Sequence, residues 1–336
     1  MTRTVGVVAH PLRAGATLRA SVEEAFRGAG REPLWLPTTP EDGGQGMVRE
    51  ALDAGADLVV AIGGDGTVTA CLTALAGTGV PLAIIPAGTG NLLARNLGIP
   101  TGGEGAIRIA VAGEDRTLDV GRVNDRCVAV MAGIGFDAAM IADAPERTKR
   151  ILGWLAYVVS ALKHLRDRRV RATITLDGGE PMRRRVRSVL IGNVGALQGG
   201  VQLLPAAQPD DGLLDVVVLT PRSLRDWVRL ALHVVRRRHW DVPAVLERRQ
   251  ARRIEVVLSR PQPRQLDGEP IEPGTTLEMI VDPRAAVVRV PAGSAAAKAE
   301  SADAEPAEVR PVEARPAEAR PAEAEAATTG PASTAV

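Results

Sequence analysis

The sequence is poor in aromatic side chains, which make up 2% of its 336 residues and include one tyrosine and two phenylalanines. Binding nucleic acid by base stacking needs aromatic platforms among basic residues, so no nucleic-acid partner is expected. Cysteine is nearly missing too. Cys71 and Cys127 are the two present, too few for a disulfide framework or a paired-cysteine zinc site. The four histidines, His10, His164, His233 and His239, are too scattered for a histidine-based metal motif. Long hydrophobic runs are also lacking. The longest, 151–162, falls short of the roughly 18 residues needed to cross a bilayer. The opening Met-Thr-Arg-Thr-Val-Gly-Val-Val reads as a first strand rather than a secretory leader, and a cytoplasmic protein is expected.

A net charge of +1 looks like a further absence, but it conceals opposite blocks. Residues 1–146 hold 11 basic and 17 acidic side chains, residues 147–260 hold 23 and 10, and residues 291–336 hold 4 and 8. A basic middle third raises the local potential and suits contact with an anionic surface; a plain solvated arginine-rich surface is the simpler reading. From residue 292 the composition collapses to Ala, Glu, Pro, Arg, Ser and Thr, with Arg-Pro-x-Glu-Ala recurring, so 291–336 is expected to be a disordered tail.

What the sequence does have is an alternation of short apolar runs and helical patterns through residue 125, the mark of a doubly wound parallel sheet. Strands are expected at Val5–Ala9, Leu34–Pro37, Leu58–Ile62 and Leu82–Pro86, with helices at 17–29, 46–54, 68–76 and 92–97 between and after them. Beyond 125 the pattern turns β-rich, with strands expected at 126–133, 170–176, 185–193, 213–219, 252–258 and 276–282 and helices near 147–166 and 222–238. The fold class is therefore α/β, with domains 1–125 and 126–290, the second a β-rich sandwich or open barrel.

Two loops carry candidate chemistry. Gly63-Gly64-Asp65-Gly66-Thr67 lies where a buried strand turns into a helix, so its backbone amides and the helix dipole can approach a phosphate. Asp65 complicates that reading, because a carboxylate beside phosphate is repulsive unless a metal or water lies between. Pro86-Ala87-Gly88-Thr89-Gly90-Asn91 repeats the geometry one βα unit later and would form the opposite wall of one crevice. Near the end, Asp267-Gly268-Glu269 offers two carboxylates. If strand alternation holds, both face one side; Asp-Gly is equally a hairpin-turn signal.

These motifs, with Thr38, Leu118-Asp119-Val120-Gly121, Gly133-Ile134-Gly135-Phe136-Asp137 and Asp211-Gly212-Leu213-Leu214-Asp215, occur in an order and spacing that resembles the diacylglycerol kinase catalytic domain superfamily. The resemblance implies an ATP- and Mg²⁺-dependent lipid kinase. Thr38, the first glycine loop through Ala70, Thr89 and Asp119 would lie around ATP. Asp267 or Glu269 would take the proton of the acceptor hydroxyl, which of the two being open. Gln208, Asp211 and Leu213 would hold a structural magnesium. Asp65→Ala and Asp267→Ala are then expected to abolish transfer with the fold intact. The sequence departs from the family's pattern at Ala70 and Leu92, where acids are frequent, and at His10, where asparagine is frequent. The rivals are an NAD kinase, which shares the first loop, and a non-catalytic lipid- or nucleotide-binding member. The partners implied are a lipid substrate and, transiently, an anionic membrane surface, with a homodimer left open. The apolar stripe of 151–165 and its flanking basic residues, with Arg236-Arg237-Arg238, are the candidates for membrane contact.

Overall fold

The computed structural model describes residues 3–135, 169–195, 204, 207–223, 225–226 and 245–293. The expected helices at 147–166 and 222–238 fall almost wholly outside them, as do the apolar stripe of 151–165 and Arg236–Arg238.

The N-terminal half opens with β1 (Arg3–Ala9), α1 (Ala16–Gly28), β2 (Arg31–Pro37), α2 (Gln45–Asp53), β3 (Leu58–Gly63), α3 (Asp65–Leu75) and β4 (Leu82–Pro86). Every residue of β3 and β4 is buried, as expected of parallel strands covered on both faces. The strands run in the order β4-β3-β1-β2, all parallel. The chain goes from β1 out to β2 and then back across to β3, so right-handed crossovers put α1 on one face and α2 on the other. Accordingly α2 packs with α3, whereas α1 packs with α5 (Gly103–Ala112), a helix for which the sequence pattern had no expectation. Val22 and Phe26 are the buried side of α1, one turn apart.

The winding reverses between β1 and β3, and their carboxyl ends open the crevice where sheets of this kind bind ligands. The glycine loop after β3 lies there because α3 begins at Asp65, earlier than the apolar periodicity from 68 suggests.

After α4 (Leu92–Asn96) and α5 come β5 (Glu114–Val123), β6 (Arg126–Val128) and β7 (Met131–Gly135). The remaining strands are β8 (Val170–Leu176), β9 (Met182–Val186), β10 (Ser188–Gly192), β11 (Leu214–Leu219), β12 (Leu246–Ala251), β13 (Arg253–Leu266) and β14 (Glu269–Val290). Strands β12-β11-β10-β7-β13-β14 are successive antiparallel neighbours, and β8 and β9 extend from β13. This β-rich part has its own apolar core, which includes Ile134, Ile174, Ile191, Leu214, Ile254 and Leu277.

Strand β14 is far longer than the expected 276–282. Its first half pairs with β13, and its last residues run beside β5 and meet β4 at Val288 and Leu82. The chain thus returns to the N-terminal sheet after building the β-rich part, and the two halves share one hydrogen-bonded sheet.

Candidate functional site

The carboxyl edge of the parallel sheet gathers the expected nucleotide residues. Thr38 follows β2, is buried, and donates its amide to Ala9 O at the end of β1 (3.0 Å). Beyond β1, Ala87 N donates to Gly63 O (2.8 Å), which zips the starts of the two glycine loops together. Both loops approach so closely that a Cβ on Gly88 would lie 2.5 Å from the Cα of Gly64, so a side chain there would force them apart. Thr89 is exposed at the rim.

Asp65 is the clasp between these loops. Its carboxylate accepts from Asn91 N (2.8 Å) and Leu92 N (2.6 Å), the start of α4. Burial raises its pKa, opposed by those two amides. Asn91 holds a left-handed backbone (φ 49°), and its carboxamide is spent on Gly88, accepting from Gly88 N and donating to Gly88 O, both at 2.9 Å. The apparent conflict between a carboxylate and a phosphate site is thus resolved locally: Asp65 binds protein amides. Asp65→Ala removes two charge-assisted hydrogen bonds worth about 1.5–3 kcal/mol each. In place of the intact fold expected from the sequence, the variant is expected to lower the melting temperature by several degrees; an unchanged thermal melt would show that the clasp does not hold the two loops together.

The late acidic motif differs from its strand-based expectation. Asp267 (φ 49°) and Gly268 (φ 85°) are the two central residues of a tight hairpin turn joining β13 to β14, closed by the pair Leu266 and Glu269. Strand alternation therefore does not apply to them, and the two carboxylates part company. Asp267 is 6% exposed and turned inward. One oxygen accepts from Val130 N (2.8 Å) and Met131 N (2.9 Å), the other from Ala129 N (2.9 Å) and the Thr69 hydroxyl (2.9 Å) on α3. Burial raises its pKa, with the four donors acting the other way. Glu269 is instead half-exposed. Its Oε2 takes Arg126 Nη2 (3.0 Å), and its Oε1 lies 2.6 Å from where a Cβ on Gly66 would be. A glycine at 66 is what leaves room for this carboxylate against the first loop.

Thr69 was expected only as part of the stretch around ATP, not as a partner of Asp267, and Arg126 was not among the sequence-derived candidates. Thr69 lies in the first turns of the helix that follows the loop and could have been suspected from that position. Arg126 has no local signal, because its partner is 143 residues away.

Asp119 was expected around the triphosphate, and its carboxylate is occupied by protein amides. It accepts from Gly212 N and Arg284 N, both at 2.7 Å, while its own amide donates to Pro209 O (2.6 Å). The residue thus ties the 208–213 loop and β14 to β5, and no hydrogen bond among the described residues links it to either glycine loop. In that loop Asp211 Oδ1 accepts from Leu213 N (2.9 Å). Burial, then the neighbouring Asp119 and Asp210 charges, raise the Asp211 pKa. Asp215, the next acid along, is pushed up to about 6, chiefly by burial. Among the described residues, Asp211 is the one carboxylate of this loop not spent on an arginine, and no group of three or more His, Cys, Asp or Glu side chains gathers there, so an ion at this loop would depend on backbone carbonyls as well.

Comparison with known proteins decides the family. Residues 11–123 match the diacylglycerol kinase catalytic domain and residues 129–290 the YegS C-terminal NAD kinase beta sandwich-like domain. A Pseudomonas aeruginosa protein named "Probable lipid kinase YegS-like" is 38% identical over 299 residues, 86% of this chain and 94% of that one. The chain belongs to the diacylglycerol kinase catalytic domain superfamily. Within it, a Bacillus subtilis diacylglycerol kinase is 29% identical over 255 residues, covering 74% of this chain and 83% of its own length. A crystal structure described as a diacylglycerol kinase of Bacillus anthracis str. Sterne superposes with a TM-score of 0.70 at 21% identity, over 87% of this chain and 98% of that one. That likeness establishes the shared fold: a parallel N-terminal sheet with a β-rich C-terminal part. As a member of a lipid kinase superfamily, the protein carries its glycine loops and Asp-Gly-Glu turn at one edge of the sheet. Its departures, Ala70 and Leu92, remove two acids and leave Asp65 as the acid clasping the loops.

Proposed function

We propose that the protein is an ATP- and Mg²⁺-dependent lipid kinase that transfers the γ-phosphate of ATP to a hydroxyl of a diacylglycerol-like or sphingoid-like lipid. The observation that carries this reading is the separation of the two late carboxylates. Asp267 is committed to four donors, whereas Glu269 stands against the first glycine loop with an oxygen beside Gly66.

The triphosphate would lie over Gly63–Thr67 and Gly88–Asn91, with Thr38 and Thr89 at its margins. The amides of Gly66 and Thr67, in the first turn of α3, have no acceptor within the helix and face the anion together with its dipole. Glu269 then takes the proton of the acceptor hydroxyl as its oxygen bonds the γ-phosphorus and the bond to the ADP oxygen breaks. Arg126 holds the carboxylate in place through its ion pair. Asp267 is a positioning residue: it locks the hairpin to the 129–131 backbone and to Thr69, and so sets where Glu269 stands. Mg²⁺ on the nucleotide supplies neutralisation of the charge on the phosphate oxygens. Asp211, with the carbonyls of Gln208 and Leu213, would hold a second, structural ion that braces the loop beneath β5.

An NAD kinase would need its second loop to read another nucleotide, and the Asn91 carboxamide is already consumed by Gly88. The loss of acids at Ala70 and Leu92 is what favours a non-catalytic binding member. Purified protein incubated with labelled ATP, Mg²⁺ and a total lipid extract is expected to yield a labelled lipid. Labelled NADP from added NAD would instead support the NAD kinase, and no transfer to any acceptor the binding protein.

A further inference from the structure

The basic excess of the middle third has a described part that no function above uses. Strand β8 pairs with β9 so that Arg171 stands directly opposite Arg185 and Thr173 opposite Arg183. On the other side of β8, Thr173 is opposite Val257 of β13. Residues paired in this way point to the same side of a sheet. Arg171, Arg183 and Arg185 are exposed, and with Thr173, Val257 and Ser259 they line an open groove of about 700 Å³. Arg184, between Arg183 and Arg185 on β9, also borders the groove and is paired with Glu247. The three outward arginines have no acidic partner among the described residues. Glu255, one pair further along the same face of β13, makes no ion pair with them.

Like charges directly opposite each other destabilise a strand pair. Edge-strand arginines alone would discourage aggregation, which accounts for those on β9. It does not account for Arg171, which sits on the interior strand β8. We propose that this face of β8, β9 and β13 docks on an anionic phospholipid bilayer. Three guanidiniums on two adjacent strands can each donate to phosphodiester headgroups, and Val257, 39% exposed, offers an apolar contact. The face bears no aromatic ring on which a nucleic-acid base could stack. The inference rests on the lipid kinase reading, since that reading supplies the reason to visit a bilayer, but it names a surface distinct from the catalytic turn.

Co-sedimentation of the full chain with vesicles tests it. Phosphatidylglycerol/phosphatidylcholine vesicles are expected to bind the protein at low salt, with binding falling as salt rises, and phosphatidylcholine vesicles are not. The triple variant R171Q/R183Q/R185Q is expected to lose about 100-fold in partitioning, from about 1 kcal/mol per arginine. It should melt no lower than the unaltered protein, because a like-charge contact is removed, and should phosphorylate a short-chain, detergent-dispersed diacylglycerol at the unaltered rate. Unchanged vesicle binding by the triple variant, or no binding by the unaltered protein, overturns the proposal. So does a short DNA duplex that binds at least as tightly and depends on the same arginines. Failure of phosphate transfer in the detergent assay, with vesicle binding intact, would instead strike the kinase reading and leave the docking face standing.

Discussion

Glu269→Gln is expected to cut lipid phosphorylation by about 10²–10⁴-fold while leaving the melting temperature within a degree or two of the unaltered protein. The amide has the shape of the carboxylate but cannot accept a proton, so the step that makes the acceptor hydroxyl nucleophilic is lost. Stability should change little because Glu269 is half-exposed, its ion pair among the described residues is with the similarly exposed Arg126, and such pairs contribute at most about 1 kcal/mol. The KM for ATP should move far less than kcat, since the substitution keeps the size and shape of the side chain beside Gly66. Measuring transfer at saturating ATP, together with a thermal melt, checks both halves. Retention of more than a tenth of the activity would remove Glu269 from the role of base.

Asp267→Ala is expected to lose activity for a different reason, by unfolding the site. Three buried amides and the Thr69 hydroxyl lose their acceptor at once. Each orphaned donor costs about 1–3 kcal/mol, so the four together cost about 4–12 kcal/mol, a large share of a typical domain's stability. At about 2–4 °C per kcal/mol for a chain of this order, the melting temperature should fall by at least about 8 °C. Asp267→Asn keeps an acceptor for some of these donors and should fall between the two. A melt of Asp267→Ala indistinguishable from that of the unaltered protein would mean that the 129–131 backbone does not depend on this carboxylate. The earlier expectation of an inert but intact Asp267→Ala is therefore replaced. The two acids of one turn should separate cleanly, Glu269 in kinetics and Asp267 in stability.

The parts of this molecule that were legible beforehand are those governed by near neighbours in the chain. Strands β1, β3, β4 and β8 show themselves as runs of apolar or β-branched residues, and the two glycine loops stand at the strand ends where their composition placed them. Helix α3 was expected to start at 68 because Gly66 and Thr67 read as loop residues. Its first turn includes them because Gly64 opens the helix directly from β3. Helix α5 was missed, since Gly103-Glu104-Gly105 conceals its start. The span of β14 was also missed, because Pro270, Pro273, Gly274 and Pro283 read as punctuation and pairing with β13 and β5 overrides them.

Within the site the division is sharper. Residue type and order were enough to mark Asp65, Asp119, Asp211, Asp267 and Glu269 as acids with work to do, and to point to phosphoryl transfer through the resemblance they carry. What each acid does was settled only by contacts between residues far apart in the chain. Asp65 clasps Asn91 and Leu92, Asp119 holds Gly212 and Arg284, and Asp267 gathers the 129–131 amides. A carboxylate is an acceptor wherever it stands. Whether it is spent on the protein or left for a substrate depends on which donors the fold brings within about 3 Å. The sequence by itself determined the layers, the loops and the chemical cast, because local periodicity and composition act over a few residues. Only the tertiary structure decided that the turn carrying Asp267 and Glu269 sends one acid inward and leaves the other facing the first loop, because long-range pairing of β13, β14 and β7 sets that turn against α3.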